Sequence, residues 1–405
     1  MFQRFGYLED CRLSFIFMRS IYFDYNATTP LDAAVREAMM PFLGEVWGNP
    51  SSVHHLGRKA RAHLDEFRER TAKVLGCKPS EVIFTSGGTE SANLAIFGTA
   101  RMMKPKGRHI ITSAVEHHAV LHSFQYLAKH EGFEATILPV NREGFISPDD
   151  LRRALRPDTV LVSLMAANNE TGTIQPVAEL GKICQERGVL FHTDAVQCFG
   201  KEPFSGVQQF NADFVSICAH KFHGPKGAGA LFIKSPLHPD PILFGGSHEN
   251  ERRAGTENMP AIAGFVEALE RFVTTPVFSS LKLKPLADRL VQLIDRIPGV
   301  HLVGPRENRL ANTVSFLVED ADSISLLASL DLEGICASSG SACSAGSIEP
   351  SHVITALGYD QELANSLVRF SLGRYSSLAE VEFTEAVLPK IIRQVQRTEK
   401  AGKSL

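Results

Sequence analysis

A lysine, an aspartate, a histidine and a cysteine in this sequence are placed to do chemistry together. Lys221 stands in His220-Lys221-Phe222-His223-Gly224-Pro225-Lys226-Gly227, directly after the apolar run Phe214–Ile217. A lysine amine at a strand end can form an imine with an aldehyde cofactor. Taken alone, Lys221 reads first as a surface lysine in a polar loop. His220, His223 and Cys218 also admit a metal site, against which stands the lack of a CxxC pair or carboxylate cluster nearby. Asp194 ends a second run, in Phe191-His192-Thr193-Asp194-Ala195-Val196-Gln197. A buried carboxylate there can keep a pyridine-type nitrogen protonated, and Gln197 can donate to an oxygen on the same ring. In isolation, His192 and Asp194 are equally an ordinary polar strand end. One helix-plus-strand unit separates Asp194 from Lys221, so adjacent strands can bring both to one ring.

Three further segments sit at similar positions. Ser86-Gly87-Gly88-Thr89-Glu90 follows the run Val82–Thr85 and opens a helix. Its glycines let the backbone approach closely, and the free N–H groups of a helix start suit a phosphate. His117 follows His109–Ser113, where its ring can stack on a cofactor face and move a proton near neutral pH. His118 and His122 have metal-compatible spacing, which is also that of a solvated helix face. Asn168-Asn169-Glu170-Thr171-Gly172 follows Val160–Leu164 and offers an amide. Gly224-Pro225-Lys226-Gly227-Ala228-Gly229 is not a dinucleotide loop, because a strand follows it.

Cys343 has a different setting. Residues 338–347 read Ser-Ser-Gly-Ser-Ala-Cys-Ser-Ala-Gly-Ser, a composition that predicts a mobile arm able to carry a thiol in and out of a pocket. By composition alone it is equally an incidental exposed cysteine. Cys184, Cys198 and Cys336 read as small hydrophobes.

The elements that must position these residues follow from periodicity. The β-rich runs Val82–Thr85, His109–Ser113, Ala135–Val140, Val160–Leu164, Val189–Thr193, Phe214–Ile217 and Ala230–Ile233 alternate with helical stretches. This predicts an α/β fold with a mostly parallel seven-stranded sheet covered on both faces, its ligand beyond the carboxyl ends of the strands. A first helix is expected from Thr29-Pro30-Leu31-Asp32, with Thr29 as N-cap. After about residue 275 a helix near Leu281–Ile297, strands at Asn312–Val318 and Leu367–Leu372, and a helix from about Leu378 to Val395 predict a smaller α+β domain. The chain has 405 residues, 44% hydrophobic, with a net charge of -3, which invites neither nucleic acid nor an acidic membrane surface. No apolar run approaches the roughly 18 residues of a membrane span. Seven cysteines without paired spacing suggest free thiols and a cytoplasmic setting. Residues 1–20, with Arg4, Glu9, Asp10 and Arg12 breaking the apolar pattern, are expected to lie outside the fold.

Taken in order, the motifs resemble a known family. Tyr22-Phe23-Asp24-Tyr25-Asn26-Ala27-Thr28-Thr29-Pro30, Gly48-Asn49-Pro50-Ser51-Ser52, Gly88-Thr89-Glu90, Asn168–Gly172, His220-Lys221, Arg252-Arg253-Ala254-Gly255-Thr256 and the Cys343 loop with Ile348-Glu349-Pro350-Ser351-His352 are similar to stretches of the fold-type I pyridoxal-phosphate enzymes. Within these, the resemblance is to the cysteine desulfurases of the NifS/IscS group, from about Ile21 to Arg374. It implies Lys221 as the Schiff-base lysine, His117 as the residue stacked on the ring, Asp194 as the pyridinium partner, and Asn169 and Gln197 around the ring oxygen. Gly88, Thr89 and His220 match phosphate contacts, and Thr256 matches a residue given to the neighbouring subunit's phosphate site, which implies a homodimer. Arg369, with Asn169, is implied to hold the substrate carboxylate. Cys218 stands where many members have a phosphate-binding serine, and a thiol is the weaker donor.

The resemblance further implies that Lys221 removes the α-proton of L-cysteine and that Cys343 takes the sulfur as a persulfide, releasing L-alanine. His117 is the expected proton-transfer group that activates the thiol. Sulfur would pass to acceptors such as an iron–sulfur scaffold, with no intrinsic metal beyond a transient iron–sulfur contact at Cys343. The expected division is 35–275 as the large domain, and 21–34 with 276–405 as the small domain carrying the Cys343 loop. Two other readings stay open at this point. One is an aminotransferase or lyase of the same fold, such as a selenocysteine lyase or a cysteine-sulfinate desulfinase. The other is a non-catalytic assembly scaffold.

Overall fold

The computed structural model describes residues 20–340 and 350–402, with side chains to residue 396. Residues 1–19 and the Cys343 segment, 341–349, therefore lie outside the described residues, as do the expectations that fall on them. The strands are β1 (Ile21–Tyr22), β2 (Val82–Thr85), β3 (His109–Ser113), β4 (Glu134–Leu138), β5 (Thr159–Ser163), β6 (Leu190–Asp194), β7 (Phe214–Cys218), β8 (Gly229–Ile233), β9 (Val300–Val303), β10 (Thr313–Val318), β11 (Ile335–Cys336) and β12 (Val368–Ser371).

Seven of them form one sheet in the order β2-β8-β7-β6-β5-β3-β4. From β7 to β4 every pairing is parallel, while β8 runs antiparallel to both its neighbours. The exception has a simple cause: residues 219–228, which join β7 to β8, are too few for the crossover that parallel neighbours need. Each of β2, β3, β5, β7 and β8 is buried along its whole length, as expected of strands covered on both faces. The parallel strands deliver their carboxyl ends, and the loops after them, to one edge of the sheet. That edge carries Lys221, Asp194, His117 and Asn169.

A second, antiparallel sheet has the order β12-β10-β9, with Ser315 of β10 opposite Arg369 of β12. Its apolar face meets the helices Ser280–Ile294 and Leu378–Gly402. Ile21, Phe23 and Tyr25 share that core with Phe316, Phe370 and Val381, and β1 pairs with β11. We propose on this packing that residues 21–34 belong with 276–405 and that 35–275 form the larger domain.

The first helix differs from expectation. It runs Ala33–Gly44, and its N-cap is Asp32, whose Oδ1 accepts from Ala34 N at 2.9 Å. Thr29 is occupied elsewhere: its Oγ1 donates to His220 O at 2.9 Å and accepts from His223 N at 2.7 Å. The hydroxyl that local pattern assigned to a cap instead fastens the turn that carries Lys221. Among the described residues, no helix is long and apolar enough to cross a membrane.

Candidate active site

A cavity of about 230 Å³ opens at the carboxyl edge of the large sheet. Lys221, Asp194, His117, Asn169, Gln197 and Arg369 line it. Gly88, Thr89, Cys218 and His220 complete the sequence-named residues at its wall. Thr256 is not among them; it lines a smaller cavity with Ser86, Gly227 and Arg253. Cys343 lies outside the described residues.

Lys221 sits in the short turn after β7, where its Nζ donates to the carbonyls of Asn26 at 2.7 Å and Ala27 at 2.8 Å. Its surroundings are buried, which lowers its pKa and favours the free amine. Asp194 is the last residue of β6, and its Oδ1 accepts from Val196 N at 3.0 Å. Burial raises its pKa to about 6, and the nearby Lys221 draws it only partly back. Two strands thus present an amine and a carboxylate, both desolvated, to the same space.

His117 caps the helix His118–His130, with Nδ1 accepting from Ala119 N at 3.1 Å. Burial, and after it the charge of Lys221, lower its pKa to about 4. At neutral pH the ring is uncharged, and because Nδ1 accepts, its proton sits on Nε2. His220 shares a hydrogen bond with Thr28 Oγ1 at 3.2 Å and is likewise lowered to about 4 by burial.

The glycines at 87, 88 and 229 mark close approach. A Cβ on Gly88 would lie 2.8 Å from Val196 Cγ2, and one on Gly229 would lie 2.7 Å from Gly87 Cα. Only bare backbone fits between the start of the helix at Gly88 and the ends of β7 and β8. The Cys218 thiol faces this cradle; Sγ donates weakly to Ala228 O at 3.9 Å, and burial raises its pKa.

Arg369 is 1% exposed. Its Nη2 donates to Asp24 Oδ1 at 2.7 Å, and its Nη1 to Asn169 O at 2.9 Å and Gly340 O at 2.6 Å. Its Nε is buried with no hydrogen-bond partner among the described residues. Arg369 is also joined to the base of the Cys343 segment by its backbone: Ser338 N donates to Arg369 O, and Arg369 N to Ser338 O. On the far side of that segment, Ser351 Oγ donates to Glu170 Oε2 at 2.5 Å. A Cβ on Gly340 would come within 2.7 Å of the same oxygen. Residues on both sides of 341–349 are therefore held beside Asn169 and Arg369.

The metal reading around Lys221 finds no support in geometry. His223 Nδ1 donates to Pro30 O at 2.8 Å and its ring stacks on Phe278. His118 and His122 stack face to face at 4.8 Å instead of converging on a point. Among the described residues no three His, Cys, Asp or Glu side chains are grouped to hold a metal ion. His192 is structural, bridging Ser163 of β5 and Ser216 of β7.

Four polar residues at the site were given no role from sequence. Asn26 uses every polar group it has: its carbonyl accepts from Lys221 and Gln197, and its amide nitrogen donates to Asn169 O and Thr313 Oγ1. Asp24, Glu170 and Lys201 complete the set. Asp24 and Asn26 stand in the motif Tyr22–Pro30 and Glu170 beside Asn169, which were the available signals. Lys201 offered only its place four residues after Gln197.

A family model for class V aminotransferases matches residues 21–383. The chain is 50% identical over 379 residues to the cysteine desulfurase IscS of Dictyoglomus turgidum, covering 93% of this chain and 96% of that protein. A solved NifS-like protein superimposes with a TM-score of 0.86 at 37% identity, over 92% of this chain and 99% of the other. SspA, solved in complex with cysteine, gives a TM-score of 0.78 at 35% identity, over 88% of this chain and all (100%) of that one. The chain belongs to the class V aminotransferase family and, within it, to the cysteine desulfurases.

Proposed function

We propose that this chain removes sulfur from L-cysteine with pyridoxal 5′-phosphate held on Lys221, releasing L-alanine and leaving a persulfide on Cys343. The residues present fit that cofactor. Asp194 is a buried carboxylate raised to about 6, and a protonated ring nitrogen is the partner that would restore its charge. Gln197 and Asn169 would meet the ring oxygen, and His117 would stack on the ring. Gly88, Thr89 and His220 would hold the phosphate at a cradle that a side chain at position 88 would block. When bound, the group supplies an electron-withdrawing ring that takes up the pair left at the substrate's α-carbon.

The chain's own residues do the rest. Arg369 would hold the substrate carboxylate; its guanidinium lines the cavity beside Asn169, and its planar fork suits a carboxylate. Lys221 Nζ, whose free-amine form burial favours, takes the α-proton. Cys343 Sγ, as thiolate, attacks the substrate sulfur; a sulfur–sulfur bond forms as the carbon–sulfur bond breaks, and its pair stays with carbon. That carbon then gains a proton to become the methyl group of alanine, and the α-carbon regains a proton from Lys221. His117 is the proposed proton relay, with Nε2 the atom that exchanges its proton. The cavity that holds a half-buried lysine, a buried carboxylate and a buried arginine together carries this reading. Incubation with L-cysteine should give L-alanine and, by mass spectrometry, a persulfide on the Cys343 peptide. Sulfide or pyruvate without alanine would refute it.

We take the working form to be a homodimer in the cytoplasm, passing sulfur to an acceptor such as an iron–sulfur scaffold. The position of Thr256, in a different cavity from Lys221, supports its serving a neighbouring copy.

The state of Asp194 sets a pH dependence. Its folded pKa is raised to about 6, so the site takes up a proton as pH falls through 6 and loses the anion that would face the ring nitrogen. His117 and His220, at about 4, stay neutral over that range. The carboxylate's advantage over an amide should therefore shrink on acidification. The ratio of cofactor dissociation constants, Asp194→Asn over parent, is expected to fall about tenfold between pH 7 and pH 5. Ionisations of the phosphate and of Lys221 are common to both proteins and cancel. A ratio unchanged by pH would show that Asp194 does not titrate as the partner of the ring nitrogen.

A further inference from the structure

Lys201 is a buried amine that the proposed mechanism does not use. It is 3% exposed, and among the described residues it forms no ion pair. Its Nζ donates to Asn26 Oδ1 at 2.6 Å and to Gln197 Oε1, and lies 5.3 Å from the centre of the Phe278 ring. Burial lowers its pKa well below the usual lysine value, and the charges of Lys221 and Arg369 add to this. A lysine placed so deep, with the Glu202 carboxylate near but not in ion-pair contact, costs stability, and its packing alone could be met by methionine. What methionine could not do is donate to two amide oxygens at once.

Those oxygens decide which way two amides face. With Oε1 fixed on Lys201, Gln197 must turn its nitrogen the other way, where Nε2 donates to Asn26 O at 3.0 Å. An amide nitrogen has two hydrogens, so a second donor remains for an acceptor in the cavity. Asn26 is fixed in the same manner: its Oδ1 faces Lys201 and Asn312, and its carbonyl receives Lys221 Nζ. Without the amine, Asn26 stays fixed by Asn312, Asn169 and Thr313, whereas the Gln197 oxygen loses its donor and that amide can flip. A flipped Gln197 would offer the cavity an acceptor in place of a donor.

We propose that Lys201 is a positioning residue: its amine holds the side-chain oxygen of Gln197, turning the Gln197 amide nitrogen toward the cofactor's ring oxygen. The inference rests on the reading that the cavity holds pyridoxal phosphate beside Gln197. If Lys201 acts through Gln197, removing one should abolish the effect of removing the other.

The test is the rate at which cofactor leaves the holoenzyme on buffer exchange, with the position of the visible band as a second readout. Lys201→Met is expected to keep the parent's thermal midpoint, release cofactor about tenfold faster and shift the band. Gln197→Ala should do the same, and the double variant should be no faster than either. Lys201→Gln, which keeps a donor, should recover most of the retention, and it serves as the probe if the methionine variant does not fold. Parent-like retention in Lys201→Met, or effects that add in the double variant, would overturn the inference. A parent protein that binds no cofactor would instead overturn the functional reading on which it rests.

Discussion

The Cys343→Ser variant is expected to keep its cofactor and its fold while alanine formation from L-cysteine falls by about a thousandfold or more. The argument is chemical. A thiol with an ordinary pKa near 8.5 supplies some thiolate at neutral pH, whereas a serine hydroxyl supplies essentially no alkoxide, and only the anion attacks sulfur. The residues that bind and activate the substrate are separate from the acceptor. Lys221, Asp194 and Arg369 reach the cavity from β7, β6 and β12, none of which includes position 343. Exchange of the substrate α-proton with heavy water should therefore persist in this variant at close to the parent rate. Measuring exchange and alanine side by side separates the two functions. Loss of both would mean that Cys343 shapes the substrate site, and retention of both would remove it from the reaction.

Lys221→Ala is the second large effect. Both the attachment of the cofactor and the removal of the α-proton depend on one Nζ, so alanine formation and proton exchange should fall together, by about a thousandfold or more. The fold should survive the change. Asn26 O keeps its hydrogen bond from Gln197 Nε2, and only Ala27 O loses its donor. The contrast with Cys343→Ser is the useful part: one variant should stop exchange and the other should leave it running. A Lys221→Ala protein that still exchanges the α-proton would require a different base, and His117 is the alternative that lines the cavity.

Much of this arrangement was legible in the sequence because it is written in local pattern. Asp194 and Lys221 each close an apolar run, and a parallel sheet delivers such ends to one edge whatever the intervening loops do. Arg369 is legible only through the family resemblance; its short strand-like run does not single it out, and its near-complete burial comes from the fold. What was not legible is the network behind the cavity. Asn26 meets Lys201, Lys221, Asn312 and Thr313 through contacts 175 to 287 residues apart in sequence, and no periodicity announces them. Thr29 shows the same limit in one residue. Its place before Pro30 suits a cap, but the turn at His220–His223 competes for its hydroxyl, and the tertiary contact wins. The antiparallel course of β8 follows from a loop length that was present in the sequence but weighed less than the alternation of strands and helices.

The most direct measurement is to reduce the purified protein with borohydride, digest it and locate the modified lysine by mass spectrometry. Reduction fixes an imine as a stable amine, so the label reports which side chain carried the cofactor. A phosphopyridoxyl group on the peptide containing Lys221, and on no other lysine, is the expected result. No label after incubation with pyridoxal phosphate, or a label on Lys201 or Lys226 in place of Lys221, would contradict it.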